Sequence, residues 1–547
     1  MNNKISFDRE SGSVGVSQSR SPAPPKTPPP SIAFRHAIPQ VVASCAALSL
    51  AMHAGINMAF AAIMIPQMER PDSAIRVDRD SASWIAAAVA VTTPVGSLLS
   101  GPLMDWLGRR SACMVTAVPL FLAWVVLPLA AGPWPVLGIV YLARVLAGVG
   151  AGLSTAAGVY VSEVAHPSLR PALLCLNSVS VAAGILLTAC LGTVMPWGWM
   201  AVVFAATAAA SMLALLLLAP ESPHWLLSMA PGKQMEQRAA LARRSLRRLY
   251  KDDEMMEACW DRLVENAGTA NKTRGHADED GVDGEGQNLL GRRVFRSVSV
   301  FLQPATAKPM ALLAIIFILQ QLSGTYVIIF YAVPLFAQMG SRFGTVVDEF
   351  GVMVVMSVVR FVMSIVTALL SHRVGRRPMM MVSGLGMAAC SVAAGFTLRT
   401  ALTPDLAPVA VNATANTTEA GVSSVLGAEV FEASWPPLVF VVLFVMFSSL
   451  GHLVIPWTLV SELLPLASRG MGSGLLVSLA YLFMFGVVKS FPYFMAAAGA
   501  RNVFHVFGAM SCVGTVFVFF FLPETLGRSL AEIEKYFVKK SESRRES

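Results

Sequence analysis

The stretch GPLMDWLGRR, residues 101–110, returns in shortened form as SHRVGRR at 371–377, and this pairing decides how the chain is organised. Two more pairs follow in the same order. VSEVAHPSLR (161–170) is matched by VSELLPLASR (460–469); each places an arginine seven residues after a glutamate, as Glu163 with Arg170 and Glu462 with Arg469. PESP at 220–223 is matched by PET at 523–525. Three ordered pairs indicate that one half of the chain duplicates the other. The separation between partners grows between Arg377 and Glu462, and an insert at 398–435 accounts for the growth.

The motifs punctuate apolar runs. The chain has 547 residues, of which 55% are hydrophobic and only 14% charged, with a mean hydropathy of +0.61. A soluble domain carries about 25% charged residues, and here the shortage extends along nearly the whole chain. Runs of about 20 apolar residues can each cross a hydrocarbon core about 30 Å thick. Twelve are predicted, near 38–64, 83–104, 112–132, 137–163, 172–192, 199–219, 309–333, 350–371, 379–397, 436–461, 472–494 and 503–522. The expected fold is an all-α membrane protein of twelve transmembrane helices in two six-helix bundles, 38–219 and 309–522. Between them lies a polar segment, 220–308, with surface helices at 233–267 and a flexible acidic stretch at 275–288. A polar, Pro-rich tail (1–37) and a short tail (523–547) flank the bundles.

Charge placement sets the orientation. Arg109 and Arg110, then Arg373, Arg376 and Arg377, and the Arg-rich 220–308 segment all fall on one side if the spans alternate. The positive-inside rule makes that side cytosolic and puts both termini there. The insert at 398–435 falls on the other side, and it holds two N-glycosylation sequons, Asn412 and Asn416. A third sequon, Asn271, is expected to stay bare in the cytosol. With no retention signal at the end of the chain, the plasma membrane is the expected location. The net charge of +8 is thus read as topology, and nucleic acid is not an expected partner, because no soluble basic domain presents the charge. The seven cysteines form no CxxC pair or metal spacing, so neither a disulfide framework nor a metal is expected. No GxxxxGKS, HExxH or nucleophile elbow occurs, so neither an ATP-driven pump nor an enzyme is expected.

As an ordered set, these motifs resemble the sugar porter family of the major facilitator superfamily, across nearly all of residues 38–537. Among its members the chain looks most like the insect facilitated trehalose transporters. The resemblance implies a cytoplasmic gate of Asp105, Arg109, Arg110, Glu163, Arg170 and Glu221, repeated as Arg376, Arg377, Glu462, Arg469 and Glu524. Such charges link helices at the cytosolic mouth while the carrier faces outward; capping of local helix ends is the alternative. Gln320 and Gln321 of QQLSG match the family's sugar-binding amides, and Trp457 matches its stacking tryptophan. Tyr331 matches the second aromatic of the seventh-span pair. Helix packing is the alternative for each of these.

The chain also departs from the family pattern. Thr325 and Tyr326 stand where the family has Ile-Asn. Ser178, beside Asn177, replaces a fifth-span glutamine. Ala480, followed by Tyr481, replaces an eleventh-span asparagine, and His224 and His372 replace charged members of the cytosolic motifs. Expected substrate contacts are Gln320, Gln321, Tyr326, Tyr331, Trp457, Asn177 and Ser178; the loss of several hexose-contacting amides counts against glucose, and a disaccharide or another polyol would need a wider, differently lined cavity. Proton symporters of the family pair a first-span acid with a fourth-span arginine. Arg144 is present, but residues 38–64 contain no Asp or Glu, only His53 and Asn57 as polar candidates. The resemblance therefore implies facilitated diffusion of trehalose or a related sugar by alternating access. It implies no cofactor, a monomer, and only the sugar and the bilayer as partners. A non-transporting sugar sensor and a proton-coupled symporter are the alternatives, and a carrier of organic ions ranks below them because the spans hold few charges.

Overall fold

The computed structural model describes residues 34–70, 73, 75–132, 134–166, 168–228, 235–265, 301, 303–333, 335, 349–371, 373–398, 435–465, 469–526 and 536–537. The three sequons, the acidic stretch, His372 and most of both tails lie outside the described residues, as does the side chain of Arg469.

In hydrocarbon, backbone N–H and C=O groups have no water to bond, so a spanning segment satisfies them internally as helix. The first six spans are Phe34–Met68, Arg79–Leu107, Arg109–Ala131, Leu137–Leu153 continued by Thr155–Val164, Arg170–Gly192 and Trp197–Leu218. The seventh is Pro304–Leu322 followed by the short turn of helix Val327–Phe330. The eighth and ninth are Glu349–Leu370 and Arg376–Thr397, and the tenth is Trp435–Leu450 with Ile455–Leu463. Eleven helices among the described residues are long and apolar enough to cross a membrane, the last being 51 residues long. That length is too great for one crossing. The helix Arg469–Phe521 breaks at Gly499, where φ is 74° and ψ 155°, and its two arms are the eleventh and twelfth spans.

Burial ranks the spans. In the first, 89% of the apolar window is inside the protein, whereas in the sixth only 28% is. The first span is therefore a core helix, while the sixth turns Leu213, Leu216 and Leu217 outward. Such exposed apolar side chains suit lipid, which is as apolar as they are. Small residues set the closest approaches. A Cβ at Gly55 would lie 2.0 Å from the Val181 carbonyl oxygen, and one at Gly184 would lie 2.1 Å from that of Met52. The first and fifth spans thus touch backbone to backbone, reciprocally.

The halves meet along two seams. The second span meets the eleventh, with Ser97 Oγ 2.6 Å from Ser478 Oγ; the fifth meets the eighth, with Cys175 Sγ 3.6 Å from Ser371 Oγ. Beneath the first half, helix Met235–Leu249 buries Ala242, Leu246 and Leu249 against Leu215, Ala219 and Leu226. A partner helix at 253–265 joins it through an Arg243–Glu257 ion pair.

Gly184→Val places branched carbons where the Met52 carbonyl stands. Overpacking of this kind costs about 1–3 kcal/mol, so the detergent-solubilised variant should melt several degrees below the parent in a thermal-shift assay, and Gly184→Ala should fall between them.

Candidate functional site

At one face of the bundle the repeated motifs build the same bracket twice. Gly108 ends the second span with φ +95°, and Gly375 takes φ +89° before the ninth. Each turn frees the first N–H groups of the next helix, which need acceptors. Glu221 supplies one: its Oε1 accepts from Arg109 N at 2.9 Å and Arg110 N at 3.0 Å. Glu524 does the same for Arg376 N at 3.0 Å and Arg377 N at 3.1 Å. A carboxylate at a helix N-terminus also meets the positive end of the helix dipole. A Cβ at Gly108 or Gly375 would lie 2.8 or 2.7 Å from the capping carboxylate, so both the φ and the contact favour glycine.

The arginine side chains then tie helix ends together. Arg109 Nε reaches Glu163 at 3.0 Å, and its Nη1 reaches Asp105 at 3.2 Å. Arg376 Nη2 reaches Glu462 at 2.7 Å. Glu163 also accepts from the Ser222 hydroxyl, as Glu462 does from Thr525 at 2.9 Å. Arg110 and Arg377 donate to the carbonyls of Leu216 and Phe519. Every one of these contacts lies within a half; among the described residues no ion pair joins the halves at this face. Among the described residues Arg170 donates to the Ala165 carbonyl at 3.4 Å, and its Nε has no partner.

The opposite face is tied across the halves. Asp80, at the start of the second span, accepts from Lys489 Nζ at 2.7 Å and from Tyr493 OH at 2.9 Å, both on the eleventh. Lys489 also bonds Ser83 Oγ at 2.6 Å and sits 4.4 Å over the Trp84 ring. A charge pattern search for loops passes over this latch, because Lys489 lies within an apolar run.

Between the halves is a cavity of about 170 Å³. Its walls run from mid-span residues such as Asn177, Tyr326 and Arg360 to Ser162, Val460 and Ser473, which neighbour the bracketed end. One face is thus latched across the halves, and the cavity reaches toward the other. Two helices unwind beside this cavity, at 323–326 and 451–454, and irregular backbone at membrane depth is tolerated where it borders such a cavity. On one wall Trp457 donates Nε1–H to Tyr326 OH at 2.9 Å, with the rings of Phe317 and Tyr481 at 4.9 and 5.9 Å. Asn177 and Ser178 face it from the fifth span.

Of the expected contacts, Asn177, Ser178, Tyr326 and Trp457 line the cavity; Gln320, Gln321 and Tyr331 do not. Gln320 donates to the His452 carbonyl, while its Oε1 and the Nε2 of Gln321 are buried without partners. Tyr331 donates to the Val488 carbonyl at 3.1 Å. Sequence reasoning missed Arg360, a mid-span arginine whose signal was its being the one charged residue between Phe350 and Leu370. Arg144 is buried and donates to the carbonyls of Ile85 and Asn57, both at 3.2 Å.

The family model described as "Sugar (and other) transporter" matches residues 42–537, and the chain belongs to that family. It is a transporter, not an enzyme. A facilitated trehalose transporter, Tret1, of Culex quinquefasciatus is 28% identical over 499 residues, covering 91% of this chain and 85% of that protein. Its counterpart from Bombyx mori is 27% identical over 498 residues, covering 90% and 86%. Among solved structures, the proton:xylose symporter XylE of E. coli, bound to 6-bromo-6-deoxy-D-glucose, superposes with a TM-score of 0.63 at 19% identity, covering 92% of this chain and 99% of that one. The fold is the twelve-span major facilitator fold.

Cysteines at positions 80 and 489, in a background without the native cysteines, should cross-link with a short bifunctional reagent. Cross-linking should hold the latched face shut and arrest flux, and cleavage of the linker should restore it.

Proposed function

We propose that the chain is a facilitative sugar carrier of the plasma membrane, with trehalose as its first candidate substrate and with the bracketed face and both termini in the cytosol. The carrying observation is the cavity between the halves, latched at one face by Asp80 and Lys489 and reaching toward the other. Aromatic faces at Trp457 and Tyr481 and polar groups at Asn177 and Ser178 suit a polyol, which presents apolar C–H faces and donor–acceptor hydroxyls in alternation.

Alternation follows by rocking residues 38–219 against 309–522. In the outward-facing state the bracketed ends approach each other, and Arg170, which has no carboxylate partner here, becomes available to the opposite half around Glu462 and Glu524. The brackets themselves hold Arg109, Arg110, Arg376 and Arg377 in place as rigid corners. Arg469 is assigned to the same gate by the repeat. Gln320 and Gln321 join the substrate contacts when the unwound segment at 323–326 shifts, which would satisfy their unpaired amide groups. Tyr331 supports that segment from behind. Sequons Asn412 and Asn416 carry glycan on the outer side, and the carrier acts as a monomer.

Uniport is favoured over proton symport because no carboxylate among the described residues pairs with Arg144. Its Nε and Nη1 are spent on the backbone carbonyls of Ile85 and Asn57, and the first span, Phe34–Met68, carries no Asp or Glu.

Oocytes expressing the chain should take up labelled trehalose saturably, at the same rate with and without an inward proton gradient. Acceleration by the gradient would point to symport; absence of any sugar flux, with protein at the surface, would point to a sensor. Trp457→Ala should raise the half-saturating sugar concentration about five- to tenfold, as for loss of one aromatic face worth about 1 kcal/mol.

A further inference from the structure

Arg360 is the least explained residue of the cavity. It lies midway along the eighth span, is 6% exposed, and contributes to the cavity wall. Its Nη1 is buried without a hydrogen-bond partner, and no carboxylate among the described residues pairs with it. The sequence offers none nearby: from 350 to 398, 436 to 461 and 470 to 522 there is no Asp or Glu, and the first-half spans carry acids only at their ends. A guanidinium at membrane depth is expensive and is normally paired or functional. Breaking a buried pair by removing one partner costs several kcal/mol, so a lone buried cation is a site waiting for an anion.

Its surroundings are those of a receptor for a small anion with hydroxyls. Ser364, one turn further along the same helix, also lines the cavity. Tyr326 lines it too, and its hydroxyl oxygen accepts from Trp457, which leaves its proton for another acceptor. Across the cavity Asn177, Ser178 and Thr155 offer neutral donors and acceptors. The cationic end thus belongs to the second half and the neutral polar end to the first.

We propose that the cavity accepts sugar acids, polyols bearing one carboxylate, in addition to neutral sugars, with Arg360 binding the carboxylate as a forked pair. A carboxylate matches the planar fork of one guanidinium and balances its single charge. A phosphate dianion would leave one charge unbalanced, because Arg144, the other arginine buried mid-span, is not part of the cavity wall; its Nε and Nη1 bond backbone carbonyls, and its Nη2 is buried away from the cavity without a partner. The neutral hydroxyls of the acid would meet Asn177, Ser178 and the aromatic wall, as those of a neutral sugar do. The inference rests on the transport reading above and narrows its substrate class.

The test uses oocytes expressing the full chain, with surface protein quantified. Labelled D-glucuronate, D-glucose, trehalose and glucose 6-phosphate are offered separately to the parent, Arg360→Gln and Arg360→Lys. The parent should carry glucuronate saturably, with an outward current that neutral sugars do not evoke, since the carboxylate moves uncompensated charge inward. Arg360→Gln should lower the ratio of glucuronate to neutral-sugar flux about tenfold or more, the range for a charge-assisted hydrogen bond lost, and Arg360→Lys should fall between. Neutral-sugar flux without glucuronate flux in the parent would overturn the inference and leave the transport reading standing. An unchanged ratio in Arg360→Gln would also overturn it. Glucose 6-phosphate carried in preference to glucuronate would overturn the carboxylate assignment, and no flux of any of the four would sink both readings.

Discussion

Lipid cannot hydrogen-bond, and from that constraint the rest of the molecule follows. Each crossing closes its own backbone bonds as a helix, and several polar side chains line the cavity where the two half-bundles face each other. Among the described residues two four-residue stretches at depth leave the helix, 323–326 and 451–454, and both lie against the cavity. The aromatic wall is built on these interruptions: Tyr326 ends the first and Trp457 follows the second, and the two are joined by a 2.9 Å hydrogen bond. An uninterrupted seventh or tenth span would satisfy more backbone and would place these side chains differently.

The bracketed corners show how duplication carries over to atoms. Glu221 and Glu524 come from segments far in sequence from the helices they cap, so each bracket fastens the end of one six-helix half to its second and third members. Because the arginines spend their backbone N–H groups on one glutamate and their side chains on another, each corner is over-determined and moves as a unit. Rocking of whole halves, rather than bending of single helices, is the motion such corners allow.

Much of this was legible before any coordinates. The span positions follow from hydropathy, and the repeat marks the residues that build the brackets, since arginine and glutamate recur in the same order in both halves. Which glutamate caps which helix was not written there, because each cap comes from more than a hundred residues away. What was not legible depended on which helix faces meet. Gln320 and Gln321 sit in the right span, yet the seventh helix turns the first of them toward the His452 carbonyl, away from the cavity. Arg360 was passed over for the converse reason: a lone arginine in an apolar run marks the residue, but not whether lipid, protein or solute lies beside it. Lys489 and Asp80 are far apart in sequence and carry no motif, so only packing of the second span on the eleventh brings them together.

The distribution of strong and weak contacts is itself an argument about mechanism. The pairs inside each half are well shielded, with side-chain exposures of 14% and 18% for Arg109 and Glu163 and 5% and 19% for Arg376 and Glu462. The pair that joins the halves leaves Asp80 60% exposed, where water screens the attraction. A screened latch holds a state without trapping it, because a solute needs only a modest difference in affinity between the two states to shift the balance. The pairs within the halves are shielded from water, and the pair between the halves lies where water can replace it.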